Sequence, residues 1–145
     1  MTAITYSDSE QSLLLSTLSV SPAAVVTRFT DALIPSLPAV RVLESRTGLV
    51  MVPYSDTRQG TTFHLGETLV AEGRVKVADF EGYGACLGRD MKLALAIAIL
   101  DAACLADLHR ETILEFVNAQ KTKQADSEEE LLKKVESTRV EMETY

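Results

Sequence analysis

Gly82-Tyr83-Gly84-Ala85-Cys86-Leu87-Gly88-Arg89-Asp90 runs directly into Met91-Lys92-Leu93-Ala94-Leu95-Ala96-Ile97-Ala98-Ile99-Leu100, and the hydrophobic pattern changes character at that junction. Upstream, Phe80, Tyr83, Cys86 and Leu87 read as a strand. Glycines inside a strand mark a close backbone approach, a bulge or a binding face. Downstream, Asp90 is placed to cap a helix, and Met91 to about Ala119 holds no Gly and no Pro, which predicts one long helix over that stretch. Its first turns are apolar nearly all round (Leu93, Leu95, Ile97, Ile99, Leu100, Cys104, Leu105, Leu108). A helix apolar on every face is buried on every face. One side can cover a sheet. The other needs N-terminal helices or another subunit, so the set Leu95, Ile99, Ala102 and Leu105, or the opposite set Leu93, Ile97, Leu100 and Cys104, is expected to form the main association surface.

Working outward toward the N-terminus, Val70 to Val77 alternates, with Val75 and Val77 on one face and Arg74 and Lys76 on the other. Phe63 and Leu65 alternate ahead of a bulge or tight turn at Gly66-Glu67. Asp56 to Gly60 is a polar loop. Leu49 to Val52 reads as a strand ended by Pro53, and Val40 to Ser45 as another, joined through a turn at Arg46-Thr47-Gly48. Residues 8–19 read as a short helix with Leu14, Leu15 and Leu18 on one face. A second helix starts at Ser21-Pro22, where Ser caps and Pro fits the first turn. It carries Val25, Val26, Phe29 and Leu33 on one side, and Pro35 and Pro38 end it. Toward the C-terminus, Thr122 to Asp126 is a polar break. Ser127 and Glu130 then have capping-box spacing for a last helix ending near Glu136. The expected class is α+β, with an antiparallel sheet of four or five strands packed against the long C-terminal helix and short N-terminal helices. A chain of 145 residues fits a single domain, 1–145. Within it, residues 1–20 are expected as a mobile N-terminal segment and 126–145 as an acidic C-terminal helix and tail.

Composition narrows the function. The chain is 46% hydrophobic but only 6% aromatic, with no Trp, so its core is aliphatic. The net charge is -7, of which -4 falls in the last twenty residues. Nucleic acids and anionic membranes call for a basic surface, and none is present, which argues against both as partners. Cys86 and Cys104 lie in apolar surroundings without C-x-x-C spacing and read as buried free thiols, which suits a cytoplasm. Leu13-Leu14-Leu15 is too short for a secretory signal core and lacks a basic flank. The apolar run Leu93 to Leu100 falls far short of the roughly 20 residues that span a bilayer.

No residue carries a catalytic signature, and no metal-ligand set is apparent. His64 reads as a solvent-facing strand residue and His109 as a surface residue late in the long helix. The order strand, glycine, helix around Gly88 places backbone amides where anions bind. However, the phosphate-loop pattern Gly-x-x-x-x-Gly-Lys-Thr is absent, and Asp90 would occupy that position; tight packing against the helix or a partner is the alternative. Arg46 in its turn is available to an anion or simply solvated. Glu128-Glu129-Glu130 favours a helix N-terminus through the dipole. The residues singled out as partner-contacting or site-shaping are Gly82, Tyr83, Gly84, Gly88, Arg89, Asp90 and Arg46.

Several segments, in this order and spacing, resemble the PhnG family, the G subunit of the phosphonate carbon–phosphorus lyase core complex. They are Arg46-Thr47-Gly48-Leu49-Val50-Met51-Val52, Phe63-His64-Leu65-Gly66-Glu67, Ala71-Glu72-Gly73-Arg74-Val75-Lys76-Val77, and Gly82-Tyr83-Gly84 leading into Leu87-Gly88-Arg89-Asp90 and a helix with Asp101-Ala102-Ala103. The closing Thr138-Arg139-Val140-Glu141-Met142 is similar as well. The resemblance covers about residue 20 onward. It implies assembly with the H, I and J subunits and, with the H, I and L proteins, support for attack of methylphosphonate on the ribose C1 of MgATP. Adenine leaves, and ribose 1-methylphosphonate 5-triphosphate forms. Radical cleavage of the carbon–phosphorus bond is implied for the J subunit and its iron–sulfur cluster. Two cysteines cannot supply such a cluster here, so no cofactor is expected on this chain alone and MgATP is expected as the substrate of the complex. The competing reading is a stand-alone homodimer that binds a small molecule and pairs through the long apolar helix.

Overall fold

The computed structural model describes residues 6–140; Glu141-Met142 of the closing segment lies outside them. The elements are α1 (Asp8–Ser19), α2 (Ala23–Leu33), a 3-10 turn (Ile34–Ser36), β1 (Val40–Ser55), β2 (Thr62–Val77), β3 (Phe80–Leu87), α3 (Met91–Leu105) and α4 (Arg110–Ser137). The sheet is antiparallel in the order β1-β2-β3, so the class is α+β as expected. Among the described residues it has three strands, not four or five, because two expected turns are absent. β1 runs unbroken through Arg46-Thr47-Gly48, with Arg46 opposite Glu72 and Gly48 opposite Val70. β2 likewise runs through Gly66-Glu67, opposite Val52 and Met51. Pro53 does not end its strand. It sits at a register shift on an edge strand, where a missing N–H leaves no ladder partner orphaned. The one turn of this long hairpin is Asp56 to Thr61, closed by Asp56 N–H to Thr61 O and by Gly60 N–H to Asp56 O.

β3 pairs β2 only from Val70 to Val77. Beyond Val70 the β1–β2 hairpin continues as a two-stranded arm. Its side chains stay in water: Leu49, Val50, Met51, Tyr54, Phe63 and Leu65 are between 45% and 63% exposed.

α3 lies at the centre of the molecule. Leu93 N–H donates to the Asp90 carboxylate at 3.0 Å, so Asp90 caps the helix. All residues from Leu93 to Cys104 are buried except the half-buried Leu95. One side packs on Val75 and Val77 of the sheet. The other meets Leu14 and Leu18 of α1, Val26 of α2, and Ile113 and Val117 of α4. Each fully buried Leu or Ile contributes roughly 1.5–3 kcal/mol. The chain's own helices therefore satisfy both faces of α3, and α3 is not an association surface.

The long helix expected to Ala119 is two helices. At its C-terminus Leu108 N–H bonds Ala103 O and Asp107 N–H bonds Cys104 O. This is the Schellman pattern, with Asp107 at φ 56 in the left-handed position that Gly usually fills. His109, at φ 53, reverses the chain into α4, and its Nε2 meets Ser36 Oγ at 3.0 Å. Asp and His tolerate this region better than most residues. α4 then runs through Thr122–Asp126 without the expected break. Phe29 and Phe116 stack at 4.0 Å between α2 and α4. Gln124 Nε2 donates to Thr17 O and Ser21 Oγ, both at 3.0 Å. Past Gln124 every described residue is exposed.

Candidate functional site

Alternation decides what each sheet face carries. Ala71, Gly73, Val75 and Val77 of β2 turn toward α3 and are buried, so Val70, Glu72, Arg74 and Lys76 turn to the opposite face. Across the register this face gathers Glu44 and Arg46 from β1, Glu72 and Arg74 from β2, and Tyr83 from β3. The Arg46 guanidinium binds Glu72 through Nε and Glu44 through Nη1, the latter at 3.0 Å. Arg74 Nε lies 3.6 Å from the second Glu44 oxygen. Tyr83 O–H donates to the second Glu72 oxygen at 2.9 Å. The hydrogen bonds from Arg46 and Tyr83 hold the Glu72 carboxyl below its ordinary range. Partial burial, then the Glu72 contact, raises the Tyr83 phenol. Arg46 and Glu72 border a shallow recess of ≈ 310 Å³ whose other walls include Gly48, Val50, Val70 and Tyr83.

Behind the network lies a buried carboxylate. Tyr83 is on the edge strand, and its backbone N–H, with no further strand to pair, donates to Asp101 Oδ2 of α3 at 3.0 Å. Asp101 is 1% exposed. It also accepts from Tyr6 O–H at 3.1 Å and from Gln11 Nε2 at 3.2 Å to each oxygen. Burial raises its pKa despite these donors, and burial with the nearby Asp101 charge raises the Tyr6 phenol. Tyr83 thus joins the open face to the N-terminal segment through one peptide group.

The structure separates the residues expected to act together. A Cβ built on Gly82 would lie 2.1 Å from Ala98 O, and one on Gly84 2.1 Å from Ala94 O. These glycines let the backbones of β3 and α3 touch along the small side chains Ala94, Ala98 and Ala102. They pack internally, against the α3 backbone. Gly88 has open space around it and φ +94; it is there for the turn. Arg89 is exposed, and Asp90 is spent on the α3 cap. Arg46 is mid-strand, not in a turn. Of the expected set, only Arg46 and Tyr83 come together, through Glu72. Glu72 and Asp101 were missed as functional residues, although each left a signal. Glu72 alternates with Arg74 on the polar side of its strand, and Asp101 is a lone acid in an apolar helix.

His64 is exposed on β2. Cys86 and Cys104 are buried free thiols; burial lifts both, Cys104 to about 12. Among the described residues no helix is long and apolar enough to cross a membrane, and no cluster of three His, Cys, Asp or Glu is placed to hold a metal ion. On the open face Arg46 and Arg74 are engaged by Glu44 and Glu72, while Lys76 and, opposite it, Arg41 lie on the same face toward the end of the sheet away from the arm.

A family model described as "Phosphonate metabolism protein PhnG" matches residues 10–145. A protein of Rhizobium meliloti (strain 1021), named alpha-D-ribose 1-methylphosphonate 5-triphosphate synthase subunit PhnG, is 35% identical over 96 residues. That stretch covers 66% of this chain and 60% of the relative, so the chain spans about three-fifths of that relative's length.

Proposed function

The chain belongs to the PhnG family of phosphonate metabolism proteins, and on that premise we propose that it is a site-shaping subunit of a synthase complex of the carbon–phosphorus lyase system. The complex joins an oxygen of methylphosphonate to ribose C1 of MgATP. The C1–N9 bond breaks, adenine leaves with the electron pair and takes up a proton, and ribose 1-methylphosphonate 5-triphosphate remains. The other subunits are the H, I, J and L proteins, the compartment is the cytoplasm, and MgATP is substrate of the whole.

The observation that supports this reading is the closure of the open-face network: Arg46, Glu44, Arg74, Glu72 and Tyr83 are bound to one another. A binder of a triphosphate and a phosphonate dianion needs cations free to meet them. The network's own arginines, Arg46 and Arg74, are instead engaged by Glu44 and Glu72, and the face they form lies at the base of an exposed apolar arm, which suits a wall of a site completed by a partner. The homodimer reading rested on a free face of α3, and α3 has none.

The test is co-expression with the H, I and J proteins, followed by adenine release from MgATP and methylphosphonate once the L protein is added. The chain is expected to co-elute with the others. Arg46→Ala is expected to lower release while leaving complex yield intact, because it frees Glu72 and Tyr83 from their positions. Assembly and full activity of the other proteins without this chain would overturn the proposal.

A further inference from the structure

The arm remains unexplained by the chain's own packing. Its exposed apolar residues lie on both faces: Leu49 and Met51 on the side continuous with the α3 face, and Val50 and Val52 on the side continuous with the Arg46–Glu72 network. Tyr54 and Phe63 meet near the tip at 5.4 Å. Between Gly48 and Gly66 the only formal charges are Asp56 and Arg58, both in the turn. β1 is also an edge strand, with β2 on one side and, among the described residues, no strand on the other. Natural edges are blunted by charge, by shortness or by cover. This one is long, and from Leu49 to Val52 it carries no charge.

The geometry points to the arm as a docking element for a different subunit of the complex: a strand of that subunit adds to the free edge of β1 over Ser45–Val52, with apolar side chains above and below. This rests on the subunit reading. Area supports it, since seven half-exposed large side chains, Val52 included, offer several hundred Å², near the roughly 800 Å² that one partner gives to a stable interface. Charge selects the occupant. A second copy would bring another body of net charge -7 against the first, with no basic residue in β1 between Arg46 and Ser55 to offset it. A neutral or basic subunit meets no such repulsion. Pro53 limits the added strand, because it has no N–H to offer past Val52.

The experiment co-expresses the full chain with the H, I and J proteins and compares wild type, Met51→Glu with Leu65→Glu in the arm, and Val135→Glu on the exposed α4 stripe. Both arm positions are exposed, so the arm variant is expected to keep the wild-type unfolding midpoint. Its yield of complex is expected to fall at least about tenfold, while Val135→Glu assembles normally. In the wild-type complex, amide exchange across Thr47–Val52 is expected to slow relative to the free chain. An arm variant that assembles like wild type, or amides that exchange equally in both states, overturns the arm assignment and leaves the subunit reading intact. A wild-type chain that fails to join the complex defeats the subunit reading, and this inference with it. A free wild-type chain that sediments as a dimer and becomes monomeric in the arm variant makes the second copy the occupant and overturns the proposal.

Discussion

Gly84 and Asp101 act at the scale of single residues, one by absence and one by charge. A side chain at 84 would enter backbone atoms of α3, which cannot rotate away as a flexible side chain can. Gly84→Val is therefore expected to cost about 3 kcal/mol or more, read as a lower unfolding midpoint of the isolated chain. The change acts on the fold first and not selectively on partner binding; an unchanged midpoint would show that β3 and α3 do not touch there. Asp101 accepts from donors only: Tyr6, Gln11 and the Tyr83 amide. In Asp101→Asn an amide N–H₂ is turned against donors, and the loss is expected at about 1–3 kcal/mol. Burial holds the native Asp101 pKa above its ordinary value, so the folded state binds this proton more tightly than the unfolded one. Its contribution to stability is full below the ordinary carboxylate range and falls as pH rises through the raised native value. The gap between wild type and Asp101→Asn, followed by denaturant titration, should therefore shrink with rising pH across that window and then level off. A gap that widens there would mean the native carboxyl is stabilised as the anion.

At the scale of elements, α4 divides at Gln124. Up to that point it packs through Ile113 and Val117 and is tied to Thr17 and Ser21. Beyond it, Leu131, Leu132 and Val135 are exposed. Removal of residues 126–145 is expected to lower helical signal in circular dichroism yet move stability by no more than about 0.5 kcal/mol; a large loss would place the tail in the core. The helices and the β3–α3 junction were legible in the sequence because their signals are local: the Asp90 cap, the apolar α3 and the Gly82–Gly84 spacing. The break at Asp107–His109 was not, since its left-handed residues are an Asp and a His rather than a Gly. The strand count failed for a related reason. Gly48, Gly66 and Pro53 are turn residues in isolation, and only pairing along sixteen residues of β2 keeps β1 extended through them. In the site, Arg46 and Tyr83 were legible as unusual residues. Their meeting on Glu72 was not, because it depends on register between three strands.

At the scale of the whole molecule, the chain satisfies its own core and leaves an apolar arm beside a polar face on which Arg46 and Arg74 are bound by Glu44 and Glu72. The isolated chain, with net charge -7 and its Arg46 held by two acids, is expected to show no micromolar affinity for MgATP by calorimetry. Such an affinity would argue for direct catalysis. The most direct measurement is adenine release from MgATP and methylphosphonate under three conditions: this chain alone, the other subunits alone, and all together. The account expects release only when all are together. Release by this chain alone, or undiminished release without it, would contradict the account.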